Sequence, residues 1–400
     1  MLKKFFKEIS YKKSYVLAFS GGLDSTVLLH MISLYIKKIK NNNNFFKKIF
    51  KFRAVYINHN ICKESKYWSN HCHDQCLKYK VFFKSINIFI SDFSEGIESS
   101  ARRERYKALF SDLNPEEVLI TAHHQDDQIE TILLSLKRGS GPRGISGMQS
   151  IKKFDSHIIK RPLLHCKKED IKLYAIKHNL NWIDDKSNLN IKFDRNFLRS
   201  EIIPLLKKRW PNIGNTISRS AKLCFDQEKL LNELLKDTLN SLVEKDKSLK
   251  FIELFKMSEI KRFAILRKWF CLNNFKMPSL SQLKHIWKNV IISKKDSKAE
   301  IKINNNIIKR FKKNLYFIPI YSKNHLKNII FKTSLNHSKK IVLPYDLGTL
   351  ITKPIMINEN FIKKINFFYY NNKKKFIFLI NLNYMKKMSF TVKLWILFIC

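Results

Sequence analysis

The first half of the chain contains two hydrophobic patterns, short apolar runs and longer segments with helical spacing. Short apolar runs with the length of buried strands lie at residues 15–19, 53–57, 82–89 and 118–121. Longer segments with helical spacing lie at residues 64–80 and 98–109. Strands that alternate with helices predict an α/β fold with a doubly wound parallel sheet, whose ligands bind beyond the carboxyl ends of the strands.

The pattern changes near residue 213. Amphipathic helical spacing is found at residues 221–243 and 258–272, and strand-like spacing at residues 301–318 and 341–357. We therefore predict an α/β domain over residues 1–212, a mainly helical domain over 213–325 and a small α+β domain over 326–400. The Lys- and Asn-rich residues 37–51 are expected to form a solvated loop.

Charge and cysteine content narrow the class of protein. The 400 residues include 76 Lys and Arg against 33 Asp and Glu, and the net charge of +43 favours polyanionic partners such as tRNA, rRNA or DNA. Because most of the cations are Lys, a compositional bias is the alternative explanation. Seven cysteines without a secretory signal or a long apolar stretch indicate reduced thiols, a cytoplasmic location and no membrane span.

A glycine pair separates the first predicted strand from a helix. The loop and the helix start contain Ser20, Gly21, Gly22, Leu23, Asp24, Ser25 and Thr26. The unpaired N–H groups of a helix start attract anions, and glycine allows a phosphate to approach the backbone. A carboxylate at Asp24 would be repelled by phosphates unless Mg²⁺ lay between them. The Gly-Lys-Ser/Thr ending of the ordinary P-loop is missing, and a plain turn is the alternative.

A second polar cluster follows the strand predicted at residues 118–121. It contains two imidazoles and three carboxylates, in His123, His124, Asp126, Asp127 and Glu130. Asp127 and Glu130 are three residues apart, so a helix places them on one face. Asp126 is a candidate for the helix cap.

Arginines and glycines form the third signal. Residues 138–148 contain four glycines and two arginines, which predicts either a loop shaped around a ligand or a flexible connector. Farther along, Arg195 and Arg199 are four residues apart, so that a helix would place both guanidinium groups on one face. Such a pair can bind phosphates or neutralise developing charge.

These motifs resemble a known family. The string from Ser20 to Ser25 is similar to the pyrophosphate loop of the ATP pyrophosphatases. The order of the motifs over residues 14–210 resembles the tRNA(Ile)-lysidine synthetases more specifically. The motifs are SGGLDST, the pair His59-Asn60, Ala101-Arg102 with Arg105-Tyr106, AHHQDDQIET, RGSG with GISGM, RPLL, DDKSN and RNFLR. The tail over residues 372–400 departs from the family's usual ending.

The resemblance implies an ATP-dependent reaction on the wobble cytidine of an isoleucine tRNA with the anticodon CAU. ATP would adenylylate the C2 oxygen, and the amino group of free L-lysine would displace AMP. The ATP phosphates would be held by residues 20–25, with His59 also contacting ATP or the substrate. Asp24 and Asp127 would be catalytic and bind Mg²⁺, and Glu130 would recognise the lysine ammonium group.

The same resemblance assigns Arg195 the stabilisation of the charged intermediate, with Arg199 in support. A nucleophilic amine must lose a proton, for which His123, His124 and Asp127 are all candidates. The sequence leaves open which of them acts. It also leaves the oligomeric state open, with a homodimer as one option.

The sequence has other interpretations, which concern its function and a possible metal site. A tRNA thiolase shares the glycine loop but needs a sulfur-carrying cysteine or a Cys-x-x-Cys motif, which the sequence lacks. A basic tRNA-binding protein without activity is the alternative from another class, and an amide or amine ligase like GMP or argininosuccinate synthetase is a third. Zinc binding by the His and Cys residues at 59–76 is disfavoured, because one helix would point them in different directions.

Overall fold

The computed structural model describes residues 5, 9, 13–42, 51–59, 65–90, 96–154, 157–185, 190–294, 299–303 and 306–319, and short strand segments between 340 and 391. The chain divides into two compact units, residues 1–232 and 233–400. None of the described helices is long and apolar enough to cross a membrane.

The first unit contains a six-stranded sheet in the order β3-β2-β1-β4-β6-β5. Five strands are parallel, and β5 lies antiparallel to β6 at the edge. The strands are β1 (Ser14–Ala18), β2 (Phe52–Asn58), β3 (Phe82–Asn87), β4 (Glu117–Ile120), β5 (Ile151–Phe154) and β6 (His157–Lys160). The predicted doubly wound parallel sheet is therefore confirmed, with an antiparallel edge strand added.

The helices up to residue 242 are α1 (Leu23–Asn42), α2 (Ser65–Lys78), α3 (Ile97–Asp112), α4 (Gln125–Lys137), α5 (Pro142–Ile145), α6 (Lys168–Lys177), α7 (Asp194–Phe197), α8 (Ile203–Arg209) and α9 (Ile213–Leu242). Residues of α1, α2 and α6 pack in the core on one face of this sheet, and residues of α3 pack on the other. A π-helical turn, Leu198–Ile202, joins α7 to α8.

Side-chain alternation along β1 divides the core into two layers. Tyr15 and Leu17 face the layer that contains residues of α1, α2 and α6, whereas Val16 faces the layer that contains residues of α3. All three side chains are at most 1% exposed. Because successive strand residues point to opposite faces, a continuous apolar run is what a strand covered on both faces requires.

One predicted loop is partly wrong. Helix α1 continues to Asn42, although residues 37–51 were expected to form a solvated loop. The reason is that Ile36 and Ile39 pack against the core, so that the apolar side of the helix continues among the Lys residues. Residues 43–50 lie outside the described part of the chain.

The second unit, with the end of α9, combines helices with an antiparallel sheet in the order β7-β10-β9-β8. Its elements are β7 (Leu249–Lys250), a 3₁₀ turn (Ile252–Lys256), α10 (Glu259–Leu272), α11 (Leu280–His285), a π-helical turn (Ile286–Ile291), β8 (Glu300–Ile303), β9 (Asn306–Phe311) and β10 (Asn314–Pro319). The buried rings of Trp269 and Phe270 both pack against Phe317 at centroid distances of 4.1 and 4.9 Å.

Farther along, the described segments are β11 (Lys340–Val342), β12 (Thr349–Ile351), β13 (Lys353–Pro354), β14 (Phe367–Asn371), β15 (Lys374–Phe378) and β16 (Phe390–Thr391). They form antiparallel pairs. The division into domains at residues 212 and 325 stays a prediction, and most of residues 326–400 lies outside the described part.

A partly buried ion-pair network ties α3 and β4 to the start of β2. Arg53 Nε donates to Glu117 Oε1 at 2.8 Å, and Nη1 forms a salt bridge with Asp112. Burial alone would raise the pKa of Asp112, but the hydrogen bonds from Lys84 and Arg53 hold it below its usual value of 3.8. The pKa of Glu117 is likewise held below 4.5, against burial, by its hydrogen bond from Arg53.

We expect Arg53→Met to lower the free energy of unfolding by about 3 kcal/mol, because it leaves Glu117 without a cation and Asp112 with only the half-exposed Lys84. Lys84→Met, which removes the half-exposed partner of Asp112, should cost under about 1 kcal/mol. Since lowered carboxyl pKa values stabilise the fold above pH 4.5, that contribution should disappear as the pH falls below about 4 in the parent chain and be small in Arg53→Met. Urea denaturation at several pH values tests this, and equal losses in the two variants would contradict it.

Candidate functional site

The glycine loop lies at the carboxyl end of β1, where α1 begins. Gly21 has a φ of +76°, and a Cβ on it would lie 2.8 Å from Cys72 Sγ, a buried atom of α2. The Gly21 carbonyl oxygen also accepts a hydrogen bond from the Ile183 N–H at 3.0 Å. Only glycine therefore fits this position, on grounds of both backbone conformation and space.

Hydroxyl groups stabilise the loop from inside. Ser25 Oγ donates to the Gly22 carbonyl at 3.0 Å, and Thr26 Oγ1 donates to the Gly21 carbonyl at 3.3 Å. Both side chains are buried, whereas Ser20 is exposed at the start of the loop. The hydroxyl groups of Ser25 and Thr26 are thus used by the loop itself, and the N–H groups at the start of α1 remain as the main donors for an anion.

His124 connects this loop to the second polar cluster. Its Nε2 lies 3.6 Å from Asp24 Oδ2 and 3.6 Å from Asp127 Oδ2. Its Nδ1 accepts a hydrogen bond from the Asp126 N–H at 3.2 Å. Since Nδ1 is an acceptor, the ring carries its proton on Nε2, between the two carboxylates.

The charged groups in this cluster stabilise one another's ionised forms. Burial alone would lower the pKa of His124, but the negative charges of Asp127 and Asp24 raise it. Burial alone would raise the pKa of Asp24, but the hydrogen bond and charge of His124 and the charge of Lys168 hold it below its usual value. Lys168 Nζ lies 3.8 Å from Asp24 Oδ2. Both carboxylates are therefore ionised at neutral pH.

The start of α4 is capped differently from the prediction. The cap is His124, and the Asp127 carboxylate accepts a hydrogen bond from the His124 N–H at 2.8 Å, which completes a capping box. The prediction of Asp126 as the cap was wrong. Asp126 is buried and instead accepts from Lys207 Nζ at 2.8 Å, so that it binds α8 to α4.

The structure brings both predicted arginines to the predicted acidic face of α4. Arg199 Nε donates to Glu130 Oε1 at 2.8 Å, and its Nη2 donates to Asp127 Oδ1 at 3.3 Å. Arg195 Nη1 lies 3.6 Å from Glu130 Oε2. Glu130 has no exposed surface, and although burial raises its pKa, both its oxygens face guanidinium groups.

Two histidines lie at neighbouring strand ends. His59 follows β2, and its Nδ1 is buried without a hydrogen-bond partner in the described structure. Burial and the charge of Arg105 lower the pKa of His59. His123 follows β4, its Nδ1 lies 2.8 Å from Thr121 Oγ1, and burial lowers its pKa to about 3, although Asp127 opposes the shift. Both rings are therefore neutral at pH 7.

The glycine-rich segment at residues 138–148 is fixed to α4. A Cβ on Gly147, whose φ is +59°, would lie 2.7 Å from Gln128 Nε2. Gln128 donates to the Met148 carbonyl at 3.0 Å and accepts from the Met148 N–H at 2.7 Å. The sequence left two alternatives for this segment, a loop shaped around a ligand and a flexible connector. The contacts at Gly147 and Met148 show that the carboxyl-terminal end of the segment is not a flexible connector.

Lys168 and Lys207 are the site residues that sequence reasoning missed. Lys168 begins α6, where a cation is unfavourable next to the positive end of the helix dipole. A Lys in the first helical turn, after the strand end at Lys160, is the signal that could have identified it. Nothing in the spacing of Lys207 relates it to Asp126.

Comparison with known proteins follows the same division of the chain. Residues 1–206 match the PP-loop domain family, and residues 249–316 match the TilS substrate binding domain. The tRNA(Ile)-lysidine synthase of Blochmanniella pennsylvanica is 42% identical over 351 residues, which cover 86% of this chain and 68% of that protein. The corresponding synthase of Photorhabdus laumondii is 40% identical over 86% of this chain and 75% of that protein.

Among solved structures, the U34-tRNA thiolase NcsA from Methanococcus maripaludis is similar to this chain with a TM-score of 0.47 and 18% identity. The match covers 56% of this chain and 78% of the thiolase.

We expect Gly21→Ala to lower the free energy of unfolding by about 1–3 kcal/mol, because it combines an unfavourable backbone conformation with the contact to Cys72. Gly22→Ala is the matched control, since the nearest atom to its Cβ would be 3.6 Å away and its φ is not positive. The double variant Gly21→Ala with Cys72→Ala should not recover the loss fully, because the backbone strain remains. Thermal unfolding measures all three, and equal stability of the two single variants would refute the assignment.

Proposed function

The chain belongs to the tRNA(Ile)-lysidine synthases, and we propose that it joins L-lysine to C2 of the wobble cytidine in the isoleucine tRNA with the anticodon CAU. The lysidine that forms changes the codon read from AUG to AUA, while ATP is converted to AMP and pyrophosphate. The resemblance drawn from the sequence motifs is thus confirmed. We expect the reaction to take place in the cytoplasm, with free L-lysine as the amine.

One observation carries the assignment of the site. Asp24 is the carboxylate that follows the glycine loop, and Asp127 lies on the neighbouring strand-to-helix connection. His124 lies between them and contacts both. The N–H groups at the start of α1 can bind the phosphates of ATP, which the PP-loop family uses. ATP, the target base and lysine would therefore meet at the carboxyl edge of β1 and β4.

Mg²⁺ fits an oxygen of Asp24. The Oδ1 atom of this residue is buried and has no hydrogen-bond partner in the described structure, while Oδ2 faces His124 and Lys168. No group of three His, Cys, Asp or Glu side chains suited to a metal occurs among the described residues. Asp24 and the phosphates of ATP would thus bind the ion together, since Mg²⁺ is usually held by one or two carboxylates and the substrate's phosphates. The bound ion would offset the negative charge of the phosphates.

Asp127 fits a metal less well than Asp24. Its oxygens already accept hydrogen bonds from the His124 N–H and from Arg199 Nη2. We therefore assign Asp127 chiefly to the positioning of His124 and Arg199, with metal binding as its secondary role.

The reaction would proceed in two displacements. The C2 oxygen of cytidine attacks the α-phosphorus of ATP, and the bond to pyrophosphate breaks. The amino group of lysine then attacks C2 and loses a proton, and the C2–oxygen bond breaks with AMP as the leaving group. Negative charge on the phosphates grows in both steps, and we assign its stabilisation to Arg195 and Arg199, the two guanidinium groups that face Glu130.

The three candidates for the general base differ in geometry. His124 is engaged at both ring nitrogens, by the Asp126 N–H and by the two carboxylates. His123 is neutral and Asp127 is ionised, so both of these can accept a proton. We therefore retain His123 and Asp127 and set His124 aside.

Glu130 remains our candidate for lysine recognition, with a condition. Because its carboxylate is fully buried beneath Arg199 and Arg195, an incoming ammonium group can reach it only if Arg199 moves. Exchange of one cation for another at Glu130 would keep the buried carboxylate paired throughout.

The thiolase alternative is disfavoured by the state of two thiols near the loop. Burial raises the pKa of Cys72, and it raises that of Cys76 to about 12. Such buried thiols are poor nucleophiles and poor carriers of sulfur.

We expect the full-length chain, with ATP and Mg²⁺, to transfer labelled L-lysine to an isoleucine tRNA transcript with the anticodon CAU. A methionine tRNA with the same anticodon is the control and should remain unlabelled. Release of pyrophosphate without lysine transfer would revive the thiolase interpretation. If tRNA is bound but neither product forms, the chain is a binding protein.

We expect Asp127→Asn to reduce lysine transfer at least ~100-fold, because the charge that positions His124 and Arg199 is lost. Asparagine keeps an oxygen that can accept from the His124 N–H, so that the helix cap and the affinity for tRNA should persist. Asp226→Asn on α9, an exposed carboxylate, is the matched control. Turnover within twofold of the parent chain would remove Asp127 from the assigned role.

A further inference from the structure

A stripe of rings runs between α3 and the antiparallel edge of the sheet. Tyr106 stacks on Phe110 at a centroid distance of 5.8 Å, and Phe110 stacks on Phe154 of β5 at 4.7 Å with an interplanar angle of 8°. His157 of β6 lies against the same Phe110 ring at 5.6 Å. Phe154 is 45% exposed, so the stripe ends in an aromatic ring that is open to solvent.

Cations lie beside both ends of this stripe, and Lys152 Nζ is 5.9 Å from the centre of the Phe154 ring. The guanidinium carbon of Arg102 lies 5.3 Å from the centre of the Tyr106 ring. Lys152 pairs with Ile159, whose side chain packs in the α3 layer of the core, so Lys152 faces the same side of the sheet. Arg161 follows Ile159 by two residues and therefore points in this direction as well. We call Arg102, Lys152 and Arg161 the edge cluster.

The edge cluster has no acidic counterpart among the described residues. Within the ranges that the structure describes, none of its three members forms an ion pair with a carboxylate, in contrast to Arg195 and Arg199 at the active site. Arg161 is only 5% exposed. Its Nη1 donates to the Gln149 carbonyl at 2.8 Å, but its Nε has no hydrogen-bond partner.

Holding these cations close together costs free energy unless an anion binds to them. Burial and the charge of Arg102 lower the pKa of Arg161, although Tyr106 opposes the shift. Lys152 is an exposed residue, yet desolvation and the charges of Arg161 and Arg143 lower its pKa. Cations that repel one another next to a buried, incompletely bonded guanidinium group are typical of a site for phosphate.

The edge cluster adjoins the reaction site. Arg161 follows the carboxyl end of β6, the strand next to β4, and His123 follows the carboxyl end of β4. The charges of Arg161 and Arg102 both act on the His123 ring. A nucleotide next to the one being modified could therefore place its phosphate at the edge cluster.

We propose that Arg102, Lys152 and Arg161 bind a backbone phosphate of the tRNA anticodon loop, beside the target cytidine, and that the exposed ring of Phe154 stacks on an unpaired base of this loop. The assignment rests on the proposed function. Single-stranded RNA combines the two features that this surface complements, a charged backbone and unstacked bases. A double-stranded stem offers no free base for Phe154.

The test measures binding of the full-length chain to the isolated anticodon stem-loop and to full-length tRNA at several salt concentrations. Lys152→Gln and Arg102→Gln should each weaken binding of both RNAs ~10-fold and lower the slope of log affinity against log salt by about one. Phe154→Ala should weaken binding ~10-fold with an unchanged slope. Lys153→Gln is the matched control, because Lys153 is the neighbouring lysine on the opposite face of β5.

Lysine transfer separates this inference from the proposed function. In Lys152→Gln the KM for tRNA should rise, while the KM values for ATP and lysine stay unchanged, and Lys152→Arg should restore tRNA binding. If Lys152→Gln and Arg102→Gln bind the stem-loop as Lys153→Gln does, the inference is wrong, even if the parent chain transfers lysine. If the parent chain transfers no lysine but the binding losses appear, the RNA site stands and the proposed function fails.

Discussion

The contact of one imidazole with two carboxylates holds the site together. His124 caps α4 through Nδ1 and presents Nε2 to Asp24 and Asp127, so that the helix start and the glycine loop have a fixed relation. Two carboxylates near one another would otherwise raise each other's pKa. The imidazole and Lys168 offset that repulsion, which keeps both groups ionised where phosphates and a cation are expected.

Much of this arrangement follows from the sequence, because it is local. The apolar run at residues 15–19 and the glycines after it predicted a strand, a loop and a helix, and parallel strands bring their carboxyl ends to one edge. The spacing of three between Asp127 and Glu130, and of four between Arg195 and Arg199, predicted which side chains share a face. The capping of α4 was not predictable in the same way, since His124 and Asp126 can both accept hydrogen bonds there and tertiary contacts decide between them.

What the sequence could not predict depends on contacts between distant segments. Lys207 reaches Asp126 across 81 positions, and no spacing rule connects them. Glu130 is fully buried and faces Arg195 and Arg199, and Arg199 lies 69 positions away along the chain. The edge cluster likewise joins α3 with β5 and β6, although its arginines had been noted only as parts of motifs.

The charged side chains beyond the strand ends form two groups, one on each side, which differ in whether the charges are paired. Around Asp24, Asp127 and Glu130, each carboxylate has a cationic partner, so this side can exchange those cations for Mg²⁺ or an ammonium group. Around Arg161, the cations of the edge cluster form no ion pair with a described carboxylate, so this side gains from an RNA phosphate. His123 lies between the two sides, and with a pKa of about 3 it is neutral and adds no charge to either. The net charge of +43 would draw RNA to any part of the surface, whereas this local division gives the RNA a definite position beside the reacting groups.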